Sequence, residues 1–335
     1  MQEDPNSLRQ CIMGFRTTQL VYVAAKLGLA DLLAQEARTA TDLAAATKVE
    51  PRALYRILRA LASLGIFAES DGGLFAMTPT AELLRRDRPG SLRSTVMLYG
   101  DEFVWRAYGQ LLRSVETGQC AFNHVYGQSF YDYLSEHPTK AALFHEAMTG
   151  FSQQEQVAIL ATYDFSAYRS IIDVGGGQGE LMFALLRAHS SLKAVVFDRT
   201  PPSEESLQTF ASSGVAERAE FVQGDFFTTI PKGHDVYVLK SVIHNWNDAA
   251  AIAILGKCRD AMPAGARLLL AERVIPAGNV PSEAKLFDIN MLVSVGGQER
   301  TEAQYAALFD KAGLELTQTI PTASHLSLVE AVPKS

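Results

Sequence analysis

Ile171-Ile172-Asp173-Val174-Gly175-Gly176-Gly177-Gln178-Gly179-Glu180, followed by Leu181-Met182-Phe183-Ala184-Leu185-Leu186, is the stretch on which the reading of the fold turns. An apolar run too short for a helix ends in a glycine cluster, and apolar residues at helical spacing come next. The segment therefore reads as strand, tight turn, helix. Glycine permits positive φ and close approach of backbone to a ligand, and the free N–H groups of a helix start supply donors. In a dinucleotide-binding turn the third glycine comes three residues after the second. Here Gly175, Gly177 and Gly179 alternate and Glu180 holds the later position, which argues against a pyrophosphate.

Asp173 precedes the glycines, and Asp198 closes the next apolar run, Ala194-Val195-Val196-Phe197. Two such carboxylates suit a ligand with an amine and ribose hydroxyls, and S-adenosylmethionine has both. Downstream, strand patterns at 194–197, 219–222, 235–239, 266–272, 314–319 and 326–331 alternate with helical patterns near 203–211, 248–261 and 302–311. Alternation of this kind predicts an α/β fold with a parallel sheet covered by helices and ligands at the carboxyl ends of the strands. Those ends carry Asp173 and the glycines, Asp198, Asp225-Phe226, Lys240 through His244, and Glu272.

With 335 residues the chain is long enough for two domains, and 47% apolar with 20% charged residues is ordinary for a globular enzyme. A net charge of -7 disfavours nucleic acid and anionic membrane as partners. Glu3 and Asp4 follow Met1 without a signal-peptide core, and no apolar run approaches a transmembrane length, so a cytoplasmic protein is expected. Cys11, Cys120 and Cys258 are odd in number and scattered, which fits reduced thiols. No histidine has metal-ligand spacing with a cysteine or acid, so no metal is expected.

Upstream, helical spacing runs from Phe15 to Leu33 with a break at Gly28. A short helix opens at Thr41, and Pro51 starts a longer one that Gly65 stops. The hairpin Ile66-Phe67-Ala68, Asp71-Gly72-Gly73, Leu74-Phe75-Ala76-Met77 completes a winged helix-turn-helix. Arg52, Arg56 and Arg59 stand where a recognition helix would carry them, so a DNA-binding regulator is the rival from another class. A basic face on a helix whose other side is core explains the same residues, and a fold does not fix a function. The predicted domains are 1–100 and 101–335, with a helical connector at about 101–165. Met148 and Phe151, just before the glycine turn, are candidate walls of a substrate pocket.

The motifs IIDVGGGQGE, VVFDRTPP, VQGDFFTTIP, VLKSVIHNWND, LLLAERVIP and GGQERTEAQYAALFDKAGL resemble, in order and over nearly the whole chain, the S-adenosylmethionine-dependent small-molecule O-methyltransferases. That family includes plant caffeate methyltransferases and bacterial antibiotic and phenazine methyltransferases. GFRTTQLVYVAAKLGLADLL is most similar to its bacterial branch. The resemblance implies a Rossmann-like methyltransferase sheet at the C-terminus and a winged-helix domain that serves dimerisation. By the same resemblance Gly175 and Gly177 face the cofactor, Asp198 holds the ribose, Asp225 and Phe226 flank the adenine, and Lys240 contacts its edge. His244 is then the general base, flanked by Glu272 and Glu299. Asn245 departs from the usual aspartate of plant members, which puts the substrate pocket in question more than the chemistry. Asn245 and Met291 join Met148 and Phe151 as candidate substrate contacts.

Methyl transfer from sulfonium to oxygen is an in-line displacement dominated by positioning. The acceptor must first lose its proton. A phenol near pKa ~10 and an imidazole near ~6.5 stand roughly 5 kcal/mol apart for full transfer, and an acid beside the far nitrogen narrows that gap. Read blandly, Glu272 and Glu299 could instead pair with Arg273, Arg300 or Lys285, and Lys240 with Asp225. The expected activity is O-methylation of an aromatic secondary metabolite, phenazine-like or polyketide-like, by a homodimer. N-methylation of a ring nitrogen, or a family member that hydroxylates or decarboxylates, are the alternatives.

Overall fold

The computed structural model describes residues 5–334, which divide into two compact units. One unit comprises the chain up to Gln110 together with Val125–Phe151; the other comprises Leu111–His124 and everything from Ser152 onward.

In the first unit the helix Pro5–Leu27 ends where Gly28 takes a left-handed conformation, and Leu29–Leu33 follows. Thr39 caps Ala40–Thr47 through a reciprocal pair with Asp42, and the helix begins one residue before the expected start at Thr41. Pro51 opens Pro51–Ser63, with Glu50 accepting from the N–H groups of Arg52 and Ala53. The expected hairpin is present as β2 (Phe67–Ser70) and β3 (Leu74–Met77), joined by a short β1 (Arg38–Thr39) that the sequence pattern did not reveal. Leu54, Leu58 and Leu61 bury one face of the long helix among Leu29, Leu43, Phe67 and Phe75, while Arg52, Arg56 and Arg59 remain exposed. Each such leucine or phenylalanine contributes about 1.5–3 kcal/mol of burial, so the apolar stripe orients the helix and leaves the arginines on its solvated side.

The second unit is a seven-stranded sheet built from β4 (Ser170–Val174), β5 (Lys193–Asp198), β6 (Ala219–Gln223), β7 (Val236–Lys240), β8 (Arg267–Glu272), β11 (Leu314–Pro321) and β12 (Ser327–Pro333). Their spatial order is β11-β12-β8-β7-β4-β5-β6. The five strands from β4 to β8 pair in parallel, as alternation with helices requires. The sheet is nevertheless mixed rather than parallel, because β12 runs antiparallel to both β8 and β11. A short turn joins β11 to β12, too short for the crossover that a parallel neighbour needs. A two-residue pair, β9 (Val274–Ile275) with β10 (Arg300–Thr301), lies beside this sheet and brackets the helix Glu283–Ser294. The order reverses between β4 and β7, so the carboxyl ends of those strands open the crevice where ligands of such folds bind. Among the described residues no helix is long and apolar enough to cross a membrane.

Candidate active site

β7 does not run straight into a helix. Ser241 takes φ 55, a left-handed conformation unusual for a residue with a side chain, and donates its N–H to Ala271 O at 3.0 Å. The chain then makes a single tight turn, Ile243–Asn245, that carries His244. Glu272, the last residue of the neighbouring β8, reaches under this turn. Its Oε1 accepts from the N–H groups of Val242 at 3.1 Å, Ile243 at 2.8 Å and His244 at 3.3 Å. From the other side Gln298 N–H donates to His244 O at 2.8 Å. Arg300, itself buried, donates to Ile243 O at 3.2 Å and Trp246 O at 2.7 Å. The turn is thus held at its N–H end by a carboxylate and at its carbonyl end by a guanidinium. Gly297 makes the close approach possible, since a methyl group there would fall 2.2 Å from His244 O and 3.0 Å from Asn245 Cα.

The imidazole meets both acids. His244 Nδ1 lies 2.9 Å from Glu299 Oε1 and 3.5 Å from Glu272 Oε2. The two carboxylate side chains are 0% exposed and that of His244 is 9% exposed. Burial works against the imidazolium, but the charges of Glu272 and Glu299 outweigh it, and the His244 pKa is raised above its ordinary value. Burial, with Glu299 close by, also raises Glu272, against the opposing pull of His244. Because Nδ1 donates to a carboxylate, the neutral ring keeps its lone pair on Nε2. Arg300 pairs with Asp248, and Lys285 donates to the Gly278 and Val280 carbonyls, so neither sequesters the two acids. His244, Glu272 and Glu299 also form a potential cation-binding trio, their ligand atoms within 4.8 Å of one another. The 2.9 Å separation of Nδ1 and Oε1 is that of a hydrogen bond.

The candidate cofactor residues gather at the β4 and β5 ends. Gly175 has φ 78, and a side chain there would strike Val242 at 2.8 Å. Gly177 N–H donates to Asp198 Oδ2 at 2.9 Å, and Thr200 N–H donates to Oδ1 at 2.9 Å, leaving further lone pairs on that carboxylate for hydroxyl donors. Asp173 is buried, its Oδ1 has no partner among the described residues, and burial pushes its pKa up to about 7 despite Lys240 nearby. An orphaned buried carboxylate oxygen beside a glycine turn fits a cationic donor such as the amine of S-adenosylmethionine. Asp225 accepts from Phe227 N–H at 2.9 Å and shapes the turn that presents Phe226, which packs with Phe227 and Trp246. Lys240 does not pair with Asp225. Its Nζ donates to Glu155 Oε2 at 2.9 Å, and His325 Nε2 lies 2.7 Å from Glu155 Oε1. Burial disfavours the charged Glu155, yet His325 and Lys240 hold its pKa down to about 2.

Of the candidate substrate contacts, Asn245 follows His244 and donates to Ser241 O at 3.1 Å, and the buried Met291 lies against Gly297. Met148 and Phe151 belong to the first unit. Sequence reading gave Arg300 only as an ion-pair alternative for the acids, and it missed Gly297 and the Glu155–His325 partners of Lys240. Arg300 and Gly297 adjoin Glu299, and the paired glycines Gly296-Gly297 outside any predicted strand were a signal of close backbone approach. Glu155 and His325 are 170 positions apart and gave no signal.

A sheet with this reversal of order, a glycine turn between two carboxylates and a buried histidine flanked by acids defines a Rossmann-like methyltransferase. Residues 105–315 match the O-methyltransferase domain family and residues 10–87 the O-methyltransferase dimerisation domain. The chain is 41% identical, over 97% of its length and 95% of the relative's, to a phenazine O-methyltransferase of Lysobacter antibioticus. It is 35% identical, over 96% and 94%, to an 8-amino-8-demethylriboflavin N,N-dimethyltransferase of Streptomyces davaonensis. Its fold matches, with a TM-score of 0.80, 35% identity and coverage of 95% and 96%, an O-methyltransferase from neocarzinostatin biosynthesis solved with S-adenosylmethionine and 2-hydroxy-5-methyl naphthoic acid. The chain belongs to the S-adenosylmethionine-dependent O-methyltransferase family. Its winged-helix segment falls within the dimerisation-domain match.

Proposed function

We propose that this enzyme methylates a hydroxyl group of an aromatic secondary metabolite, phenazine-like or polyketide-like, with His244 as the general base. The observation that carries the reading is the buried Glu299–His244 hydrogen bond, which orients the ring and keeps Nε2 free. S-adenosylmethionine, held by Asp173, Gly175, Gly177, Asp198, Asp225, Phe226 and Lys240, supplies an electrophilic methyl group on a sulfonium. The acceptor O–H proton passes to Nε2, the oxygen forms its bond to the methyl carbon as the C–S bond breaks, and opposite charges neutralise. Glu272 and Glu299 stabilise the imidazolium that results and so close part of the roughly 5 kcal/mol gap between a phenol and an unassisted imidazole.

Asn245 and Met291, both beside the His244 turn, are assigned to the acceptor pocket. The chain acts as a cytoplasmic homodimer through its N-terminal domain, and a monomer by light scattering at micromolar concentration would overturn that assembly. A relative that methylates nitrogen raises N-methylation as the second reading. A neutral amine needs no base, however, and the buried acid pair behind His244 would then have no task. The test is to supply S-adenosylmethionine with hydroxylated phenazines and naphthalenes and to identify the product by mass spectrometry with fragmentation. A methyl ether supports the reading. Methyl on nitrogen, or a hydroxylated or decarboxylated product without methyl transfer, overturns it.

A further inference from the structure

Arg273, next in the chain after Glu272, is only 6% exposed. Its guanidinium carbon stands 3.7 Å from the centre of the Phe287 ring. Among the described residues it has no hydrogen bond and no ion pair, although Glu272 and Glu299 lie in the same region of the unit. The Phe287 ring in turn lies 6.5 Å from the His244 imidazole, the two planes 19° apart. The guanidinium is therefore no farther from the imidazole than those two separations combined, and its charge is close enough to oppose protonation of His244.

A guanidinium carries five N–H donors in a fixed fork, and those of Arg273 meet no protein acceptor among the described residues while solvent still reaches them. The contact with the Phe287 ring offers these donors no oxygen or nitrogen acceptor. The fork matches a carboxylate in two parallel hydrogen bonds. The guanidinium and the imidazole share Phe287 as a neighbour, a spacing that one aromatic acceptor can bridge with a carboxylate at one end and a hydroxyl at the other.

We propose that Arg273 is a specificity-determining residue that recognises an anionic group, a carboxylate on the aromatic acceptor, alongside the hydroxyl to be methylated. This rests on the acceptor reading above and narrows it to hydroxyarene carboxylates. Anchoring the carboxylate away from His244 fixes which hydroxyl reaches the base, so the same contact sets regiochemistry.

The probe pair is 6-hydroxy-2-naphthoic acid, whose carboxylate and hydroxyl stand at opposite ends of the ring system, and its methyl ester, titrated by calorimetry into the full chain saturated with S-adenosylhomocysteine. The wild type should bind the acid about 10- to 100-fold more tightly than the ester, the range of a charge-assisted pair. In Arg273→Gln the preference should vanish, and Arg273→Lys, which keeps the charge without the fork, should restore part of it. Equal affinities for acid and ester in the wild type, absence of binding by both included, would overturn the proposal without needing any variant to fold. A preference that survives in Arg273→Gln would overturn it as well. Because this readout is binding, it is separate from the product analysis that tests O-methylation.

Discussion

Replacing Glu299 by glutamine removes one negative charge from behind the imidazole and keeps an amide oxygen able to accept from Nδ1. In the native enzyme that acceptor sits 2.9 Å from Nδ1 in a site closed to water, with Glu272 at 3.5 Å as the second charge. Loss of this opposite charge lowers the imidazole pKa, and exchanging a charge-assisted hydrogen bond for a neutral one weakens the base by about 1.5–3 kcal/mol. His244 starts from a raised pKa, so the neutral, working form is lost as pH falls through that value. The variant therefore keeps His244 neutral to a lower pH, yet offers a weaker base. If about half of the proton is transferred at the transition state, the plateau rate falls by about 4- to 13-fold. The assay is single-turnover methyl transfer at saturating cofactor from pH 5 to 9. The expected result is an acid limb displaced to lower pH together with a lower plateau, two changes that simple loss of folded enzyme does not produce. An acid limb that stays at the wild-type position would refute the assignment of Glu299 as the charge that tunes His244.

His244→Ala should lower turnover by about 10²–10⁴ with cofactor affinity nearly intact, and the deficit should shrink as pH passes the acceptor's own pKa; equal rates at neutral pH would make His244 structural. Gly297→Ala must push a methyl group against His244 O, 2.2 Å away in the present backbone, so the turn has to move. Its stability should fall by about 1–3 kcal/mol in urea titration and its turnover by about 10-fold or more, with S-adenosylhomocysteine affinity largely kept. Asp173→Asn should stabilise the ligand-free enzyme. Burial raises this carboxyl to about 7, so its favourable neutral form is complete in acid and is lost as pH rises through that value. The variant's gain should grow from pH 4 to pH 8 towards about 4 kcal/mol, while calorimetry shows weaker binding of S-adenosylmethionine. A gain independent of pH would break the link to ionisation.

How far the amino-acid sequence reached can be seen by comparing elements. Local chemistry settled the β4 turn, because the positive φ at Gly175 favours glycine and the alternating Gly175, Gly177, Gly179 spacing is written in one short stretch. It also settled the parallel strands, since apolar runs spaced by helical patterns leave few other ways to bury both. The candidates His244, Glu272 and Glu299 came from motifs. That Glu272 holds three backbone N–H groups of the His244 turn, while Glu299 takes its ring, followed only once β7 and β8 were neighbours. The antiparallel β12, the Arg300 clamp and the Glu155 bridge between Lys240 and His325 likewise join residues far apart in the chain. Periodicity reports which face of an element is buried. It carries no record of which distant side chain will share that burial, and for buried charges the partner decides both protonation and role.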